Sequence, residues 1–225
     1  ASASGQNMRK RQSAKRKKSK KQEQAQKPTV DIQDIEYETE AVEEHANVLF
    51  KPNPGPQTDF LAASEREVLY GGSAGGGKSY AMLADPLRYM GHPQFSGLLL
   101  RHTTEELREL IFKSQELYPK IWPGIKWSER KMQWTAPSGA RLWMSYLDRD
   151  EDVLRYQGLA FSWIGFDELT QWGSPYAWNY MRSRLRSTAP DLPIFMRATT
   201  NPGGRGHHWV KKMFIDPAPY NRSFD

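Results

Sequence analysis

Apolar residues gather along the chain in short runs separated by helical periods. Glu67-Val68-Leu69, Ser96 to Arg101, Phe161 to Phe166 and Ile194 to Thr200 read as strands. In the second of these, Leu98-Leu99-Leu100 does not alternate, the pattern of a strand covered on both faces of a parallel sheet. Between the strands, Ser79 to Met90 predicts a helix that Pro86 kinks or ends near Asp85, since proline has no N–H and its ring clashes with the preceding turn. Thr103-Thr104-Glu105-Glu106 has the form of a capping box, and Leu107, Leu110, Ile111, Leu117 and Tyr118 then form one apolar face. Ser174-Pro175 predicts an N-cap and first helical position for a helix through about Arg186, with Arg182 and Arg186 on one face and Arg184 pointing away. Lys131 to Thr135 and Ala140 to Tyr146 read as a hairpin turning at Ala136-Pro137-Ser138-Gly139. Strands alternating with helices predict an α/β fold, a mostly parallel central sheet flanked by helices and carrying a β-hairpin insertion.

The two ends of the pattern lack such periodicity. Residues 1–27 hold ten Lys/Arg and one acid, Glu23, for a charge of +9, and they predict a disordered basic tail suited to weak, sequence-independent contact with DNA or simply to solubility. Ala1 to Asn7 read as an appended remnant ahead of a start at Met8. Residues 28–50 are acidic and predict a linker or short helix. Lys51-Pro52-Asn53-Pro54-Gly55-Pro56 excludes helix and central strand, so the domain is expected to occupy 51–225. Removing the tail's ten bases and one acid from totals of 32 and 26 leaves 22 bases and 25 acids, so the remainder carries −3. No cysteine is present, which excludes disulfides and thiolate metal sites, and no apolar run approaches the roughly 18 residues of a membrane span.

Chemistry concentrates at strand ends. Gly72, Gly77, Lys78 and Ser79 satisfy GxxxxGK[S/T] between a strand and a helix, the setting in which that spacing cradles phosphate. Across Gly72-Ser73-Ala74-Gly75-Gly76-Gly77, glycines let successive N–H groups face one anion, Lys78 reaches the β and γ phosphates, and the Ser79 hydroxyl is placed for Mg²⁺. Phe161 to Phe166 ends in Asp167-Glu168. Asp167 is placed to hold Mg²⁺ through water, and Glu168, pointing elsewhere by strand alternation, to polarise an attacking water. Gln57 upstream either reads an adenine edge with its amide or is a surface residue after a turn. Thr199-Thr200-Asn201-Pro202-Gly203-Gly204 ends the last strand with polar side chains expected near the γ-phosphate. Trp127, Trp134 and Trp143 beside Lys126, Arg130, Lys131 and Arg141 fit strand packing more simply than nucleic-acid stacking. His207-His208 lacks a third metal ligand in view.

Taken together, Gln57, the glycine loop with Lys78-Ser79, Tyr156-Gln157-Gly158 ahead of Ile164-Gly165-Phe166-Asp167-Glu168, and Thr199-Thr200-Asn201-Pro202-Gly203 with His208-Trp209 and Lys211-Lys212 resemble the large terminase subunit of tailed bacteriophages, from about Pro52 to about Ile215. The resemblance implies a P-loop NTPase of the additional-strand catalytic-glutamate type. It further implies an ATPase motor that moves double-stranded DNA into a procapsid, with ATP and Mg²⁺ as cofactors. Gln57 would recognise adenine, Lys78 and Ser79 would contact phosphate and Mg²⁺, Asp167 would hold the metal, Glu168 would be catalytic, and Thr200 and Asn201 would couple hydrolysis to DNA movement. Portal protein and small terminase subunit would be partners. The chain would form a homo-oligomeric ring when packaging and a monomer alone, away from any membrane, in the host bacterial cytoplasm and at the portal. Two departures stand out: Ser73 and Ala74 occupy positions where many members carry arginine, and the family's ribonuclease-H-like nuclease domain would lie beyond Asp225. An arginine finger contributes about 10³ to 10⁵ in rate. Arg155 is therefore expected to act in trans on a neighbour's ATP, with Arg149, Arg184 and Arg186 as reserves. Another P-loop DNA translocase or helicase, or a nucleotide-gated, non-hydrolysing assembly subunit, are the alternative readings.

Overall fold

The computed structural model describes residues 50–72, 75, 77–187 and 189–217. The basic tail 1–27, the acidic stretch as far as residue 49, and Ser73, Ala74 and Gly76 of the glycine loop lie outside the described residues. Seven strands make one sheet: β1 Glu67–Gly71, β2 Ser96–Arg101, β3 Lys126–Ser128, β4 Gln133–Thr135, β5 Arg141–Tyr146, β6 Trp163–Phe166 and β7 Phe195–Thr200. Their order across the sheet is β1-β7-β6-β2-β5-β4-β3. The first five in that order are parallel, and β4 and β3 run antiparallel at one edge. β7, last in the chain, therefore lies between the strand that enters the glycine loop and the strand that ends in the two carboxylates. This is the additional-strand arrangement.

Every residue of β6 and β7 is buried, as is β2 beyond Ser96, because helices cover both faces. Strand alternation sends Leu99 into one core with Met82, Leu83, Leu107 and Tyr118, and sends Leu98 and Leu100 into the other with Trp172, Trp178 and Met181. Helix α1 spans Pro56–Ala62, an element the pattern did not predict. Its signal is proline at the first helical position after Gly55, which sits at φ 92°. Helix α2, Lys78–Ala84, passes at Asp85–Tyr89 into a 3₁₀ turn containing Pro86, as expected. Helix α2 comes so close to β6 that a Cβ on Gly165 would meet the Met82 sulfur at 2.8 Å and the Trp163 ring at 2.3 Å. Helix α3, Thr104–Ile121, opens on the predicted capping box. The Thr103 hydroxyl accepts from the Glu106 N–H, and the Glu106 carboxylate accepts from the Thr103 N–H, each at 3.4 Å.

Two expectations change. Helix α4 covers Tyr176–Arg182 and stops short of Arg186 because Phe161 captures the chain beyond it. The Phe161 N–H donates to the Arg184 carbonyl and the Arg186 N–H to the Phe161 carbonyl, both at 2.9 Å, so Leu185 forms a β-bridge. Arg182 and Arg186 consequently share no helix face, and Arg182 pairs with Glu67 at 2.7 Å. The hairpin of β4 and β5 is present, but its second arm doubles as the parallel neighbour of β2, and β3 extends it by one strand. Trp134 is buried, donates to Ser114 Oγ at 3.0 Å and faces Trp127 at 5.3 Å, which is core packing. Helix α5, His207–Val210, and a π-helical turn, Lys211–Ile215, complete the described chain. Among the described residues no helix is long and apolar enough to cross a membrane.

Candidate active site

The parallel strands β1, β7, β6 and β2 present their C-terminal ends along one edge of the sheet, and the candidate residues collect there. After β1, Gly72, Gly75 and Gly77 adopt φ of 139°, 89° and 72°. The last of these is doubly required, because a Cβ on Gly77 would come within 2.6 Å of Gln57 Nε2. Gly77 caps α2, so Lys78 and Ser79 open that helix. The Lys78 ammonium is buried and donates to the Gly72 carbonyl at 3.0 Å, folding back across the mouth of the loop, while Ser79 is half-buried. Gln57 is buried, not at the surface. Its Nε2 donates to the Gly77 carbonyl at 2.9 Å and its Oε1 accepts from the Asn53 N–H at 2.6 Å. A primary amide has two donors and two lone pairs, so one of each is left over from these bonds.

Two strands away, β6 delivers Asp167 and Glu168. Asp167 is buried, and its Oδ1 accepts the hydroxyl proton of Thr199 on β7. Burial pushes its carboxyl above the usual range, opposed by the Arg101 guanidinium and the Thr199 hydrogen bond and reinforced by the charge of Glu168. Glu168 leaves the strand. Its left-handed backbone, φ 61° and ψ 54°, turns the side chain away, so the separation of the two carboxylates comes from this turn and not from strand alternation. Such a conformation in a non-glycine residue costs about 1–3 kcal/mol and recurs at functional sites. The Glu168 N–H donates to Thr199 Oγ1 at 3.0 Å, its Oε1 accepts from Asn201 Nδ2 at 2.8 Å, and its Oε2 lies 3.4 Å from Gln171 Nε2. Gln171 also donates to Glu106 Oε1 at 2.7 Å. Burial would raise the Glu106 carboxyl, but hydrogen bonds from Gln171 and Thr103 and the charge of Arg101 together hold it below the usual range.

The residue that sequence reasoning missed is Arg101. It ends β2 beside β6, is almost fully buried, and approaches Asp167 Oδ2 with Nε at 3.3 Å and Glu168 Oε1 with Nη1 at 3.8 Å. The one local signal was a charge closing the otherwise apolar Leu98-Leu99-Leu100 run. Its partners follow from strand order, which local pattern does not encode. Asp167 Oδ2, Arg101 Nε and Nη1, and Asn201 Oδ1 are buried without a hydrogen-bond partner in the protein. Buried polar atoms of this kind collect at strained or catalytic places and where water or an ion is held. Asp167 Oδ2 faces Arg101 as an ion pair, and this carboxylate is the candidate here for holding a hydrated divalent cation.

Thr199 and Thr200 end β7 beside Tyr70 and Gly71, the last residues of β1. Thr200 Oγ1 donates to Thr170 Oγ1 at 2.9 Å, and Thr170 lies two residues past Glu168. The Gly206 N–H donates to the Thr170 carbonyl at 2.7 Å, and Trp209 Nε1 donates to the Trp172 carbonyl at 2.8 Å. The segment after β7 is thus stitched to the Glu168 loop. Arg155 sits at the same sheet edge but beyond β2. Its Nη2 donates to the carbonyl of Tyr146, the last residue of β5, at 2.6 Å, its plane lies over the Tyr146 ring, and its side chain is half exposed. Arg149, just before Asp150 in the connector, is exposed, whereas Arg184 and Arg186 flank Phe161 at the opposite end of the strands. No cluster of His, Asp or Glu suited to direct metal ligation exists among the described residues, His207 and His208 included.

A family model for the phage terminase large subunit matches residues 64–225. No curated protein matches the chain. Among solved structures, a point mutant of the ATPase domain of the Thermus phage P74-26 large terminase is similar, with a TM-score of 0.56 and 14% identity over 77% of this chain and 74% of that one. The large terminase of another thermophilic bacteriophage, in complex with ADP, has a TM-score of 0.56 and 19% identity over 73% of this chain and 42% of that one. The bacteriophage HK97 large terminase has a TM-score of 0.54 and 13% identity over 77% and 41%. The chain spans less than half the length of the last two proteins, and these likenesses establish a shared fold.

Proposed function

Because the chain belongs to the phage terminase large-subunit family, we propose that it is the ATPase motor of a DNA-packaging terminase, hydrolysing ATP to drive double-stranded DNA into a procapsid. One observation carries the reading: the glycine loop with Lys78 and the Asp167-Glu168 tip lie at the same end of the sheet with β7 between their strands, and buried polar atoms lacking hydrogen-bond partners gather around the two carboxylates. Backbone N–H groups of the loop and Lys78 hold the terminal phosphates. Gln57 braces the loop through Gly77, and its spare donor and lone pair would serve the edge of an adenine. Ser79 and Asp167 would hold Mg²⁺, which supplies charge neutralisation at the β and γ oxygens when bound. Glu168 accepts the proton of the attacking water, and Asn201 fixes which carboxylate oxygen is available for that role. Arg101 reaches both carboxylates, and its charge opposes the upward pull of burial on Asp167. Thr200 and Asn201, joined to the Glu168 loop through Thr170, pass the state of the γ-phosphate to the segment beyond β7.

A transition-state arginine is supplied by Arg155 to the ATP of a neighbouring subunit. Its half-exposed position at the strand-end edge supports that assignment over Arg184 and Arg186, and Arg149 is the remaining reserve. Working partners are then double-stranded DNA, a portal protein, a small terminase subunit and further copies of this chain in a ring, with the isolated chain monomeric and its place of action the host cytoplasm at the portal. The decisive test is Glu168→Gln. Phosphate release falls by about 10²- to 10⁴-fold while ATP binding persists, and the wild-type chain's activity responds to duplex DNA without separating a forked substrate. A wild-type chain that binds ATP without releasing phosphate points to a nucleotide-gated assembly role, hydrolysis untouched by the substitution removes Glu168 from catalysis, and strand separation points to a helicase.

A further inference from the structure

A second set of buried charges lies at the far end of the same elements. Asp85, at the end of α2, and Arg197, inside β7, are both completely buried, with Nε 3.5 Å from Oδ2. Trp163, the first residue of β6, donates its indole N–H to the same carboxylate oxygen at 2.7 Å. Arg197 also donates from Nη1 to the Glu65 carbonyl at 2.8 Å and from Nη2 to the Ala63 carbonyl at 2.9 Å, and its plane lies 4.2 Å over the Phe195 ring. Ala63 and Glu65 belong to the connector from α1 to β1. One guanidinium and one carboxylate therefore touch that connector, α2, β6 and β7. Each of these elements carries a different piece of the site at its other end: Gln57 and the loop after Gly71, Lys78 with Ser79, Asp167 with Glu168, and Thr200 with Asn201.

Stability does not account for such a pair, since replacing a buried ion pair by apolar residues of similar volume is often neutral or stabilising. We propose that Arg197 is a positioning residue: the node it forms with Asp85 and Trp163 fixes how far α2, β6 and β7 reach along their axes, and so sets the gap between the phosphate loop and the carboxylate tip. This rests on the ATPase reading for its kinetic consequence alone. A guanidinium fork bridges two carbonyls and a carboxylate at once, which an ammonium does not. A displacement of about 1 Å between catalytic parts costs on the order of 10²-fold in rate.

Asp85 Oδ1 also pairs with Arg88, whose side chain is half exposed. The test uses the full chain with Arg197→Lys, Arg197→Met, and Arg197→Met combined with Asp85→Asn, which removes the buried carboxylate charge, keeps an acceptor for Trp163 and leaves Arg88 in contact with solvent. Below their melting temperatures, Arg197→Lys and the double variant lose about 10- to 100-fold in kcat, with the nucleotide Kd within about twofold of wild type. Loss of kcat only in proportion to the unfolded fraction, or native kcat in the double variant, overturns the proposal. Because the chain contains no cysteine, spin labels at Tyr80→Cys and Arg205→Cys, both exposed positions, give a readout independent of catalysis. A narrow distance distribution that shifts or broadens in both variants supports the node, and an unchanged one refutes it. A wild-type chain that fails to hydrolyse ATP sinks the motor reading and leaves this distance measurement to judge the node.

Discussion

Asp167 shows what the site costs the fold. Burial raises its carboxyl pKa, and a carboxyl raised in the folded state binds its proton more tightly there than in the unfolded chain. Its contribution to stability is therefore full below the unfolded value and is lost as pH climbs from that value through the folded one. Urea melts across this range should lose stability with rising pH in the wild type, and the slope should flatten in Asp167→Asn, which also loses catalysis. An equal slope in the two proteins removes the electrostatic account of this residue. Glu168 carries a cost of a different kind, backbone strain, and both residues stay in place because Thr199, Asn201 and Arg101 hold them. A phosphate loop is readable in sequence because its chemistry is local: glycines, a lysine and a hydroxyl within one turn of chain. Arg101 was not, since its partners are set by which strands lie side by side.

At the level of elements, the Glu168 loop and the segment after β7 meet most closely at Gly206. A Cβ there would meet the Trp172 carbonyl at 2.1 Å and Trp209 Nε1 at 2.5 Å, although the φ of this glycine, −91°, is open to any residue. Gly206→Ala should cost about 1–3 kcal/mol in urea melts and shift tryptophan emission as Trp172 and Trp209 separate; unchanged melts and emission would show that the loop yields freely. Local pattern set β2 to the residue and α3 to its cap, because an apolar run and a capping box are complete within a few positions. The end of α4 was hidden, since it is decided by a bridge to Phe161, more than twenty positions earlier. β3 was hidden for the related reason that a three-residue strand exists only where β4 offers an edge.

For the whole molecule, charge and assembly set the predictions. The excess of nine positive charges in residues 1–27 should steepen the salt dependence of DNA binding by counterion release. Equal slopes with and without those residues remove any such role. Arg155 acting across subunits predicts that mixtures of Arg155→Ala and Glu168→Ala chains regain ATPase activity at shared interfaces, whereas simple dilution of activity places the arginine in cis or elsewhere. β7, finally, stands between the strand that enters the glycine loop and the strand that ends in Asp167-Glu168, bonded along its length to both neighbours. Closing that interval by side-chain rotation alone would leave the strand in the way, so a stroke of the proposed motor would be a shear or twist of main chain. Pleated neighbours tolerate only ångström-scale slippage before their ladder breaks, so under the proposed function a longer advance of DNA would be won by leverage farther out.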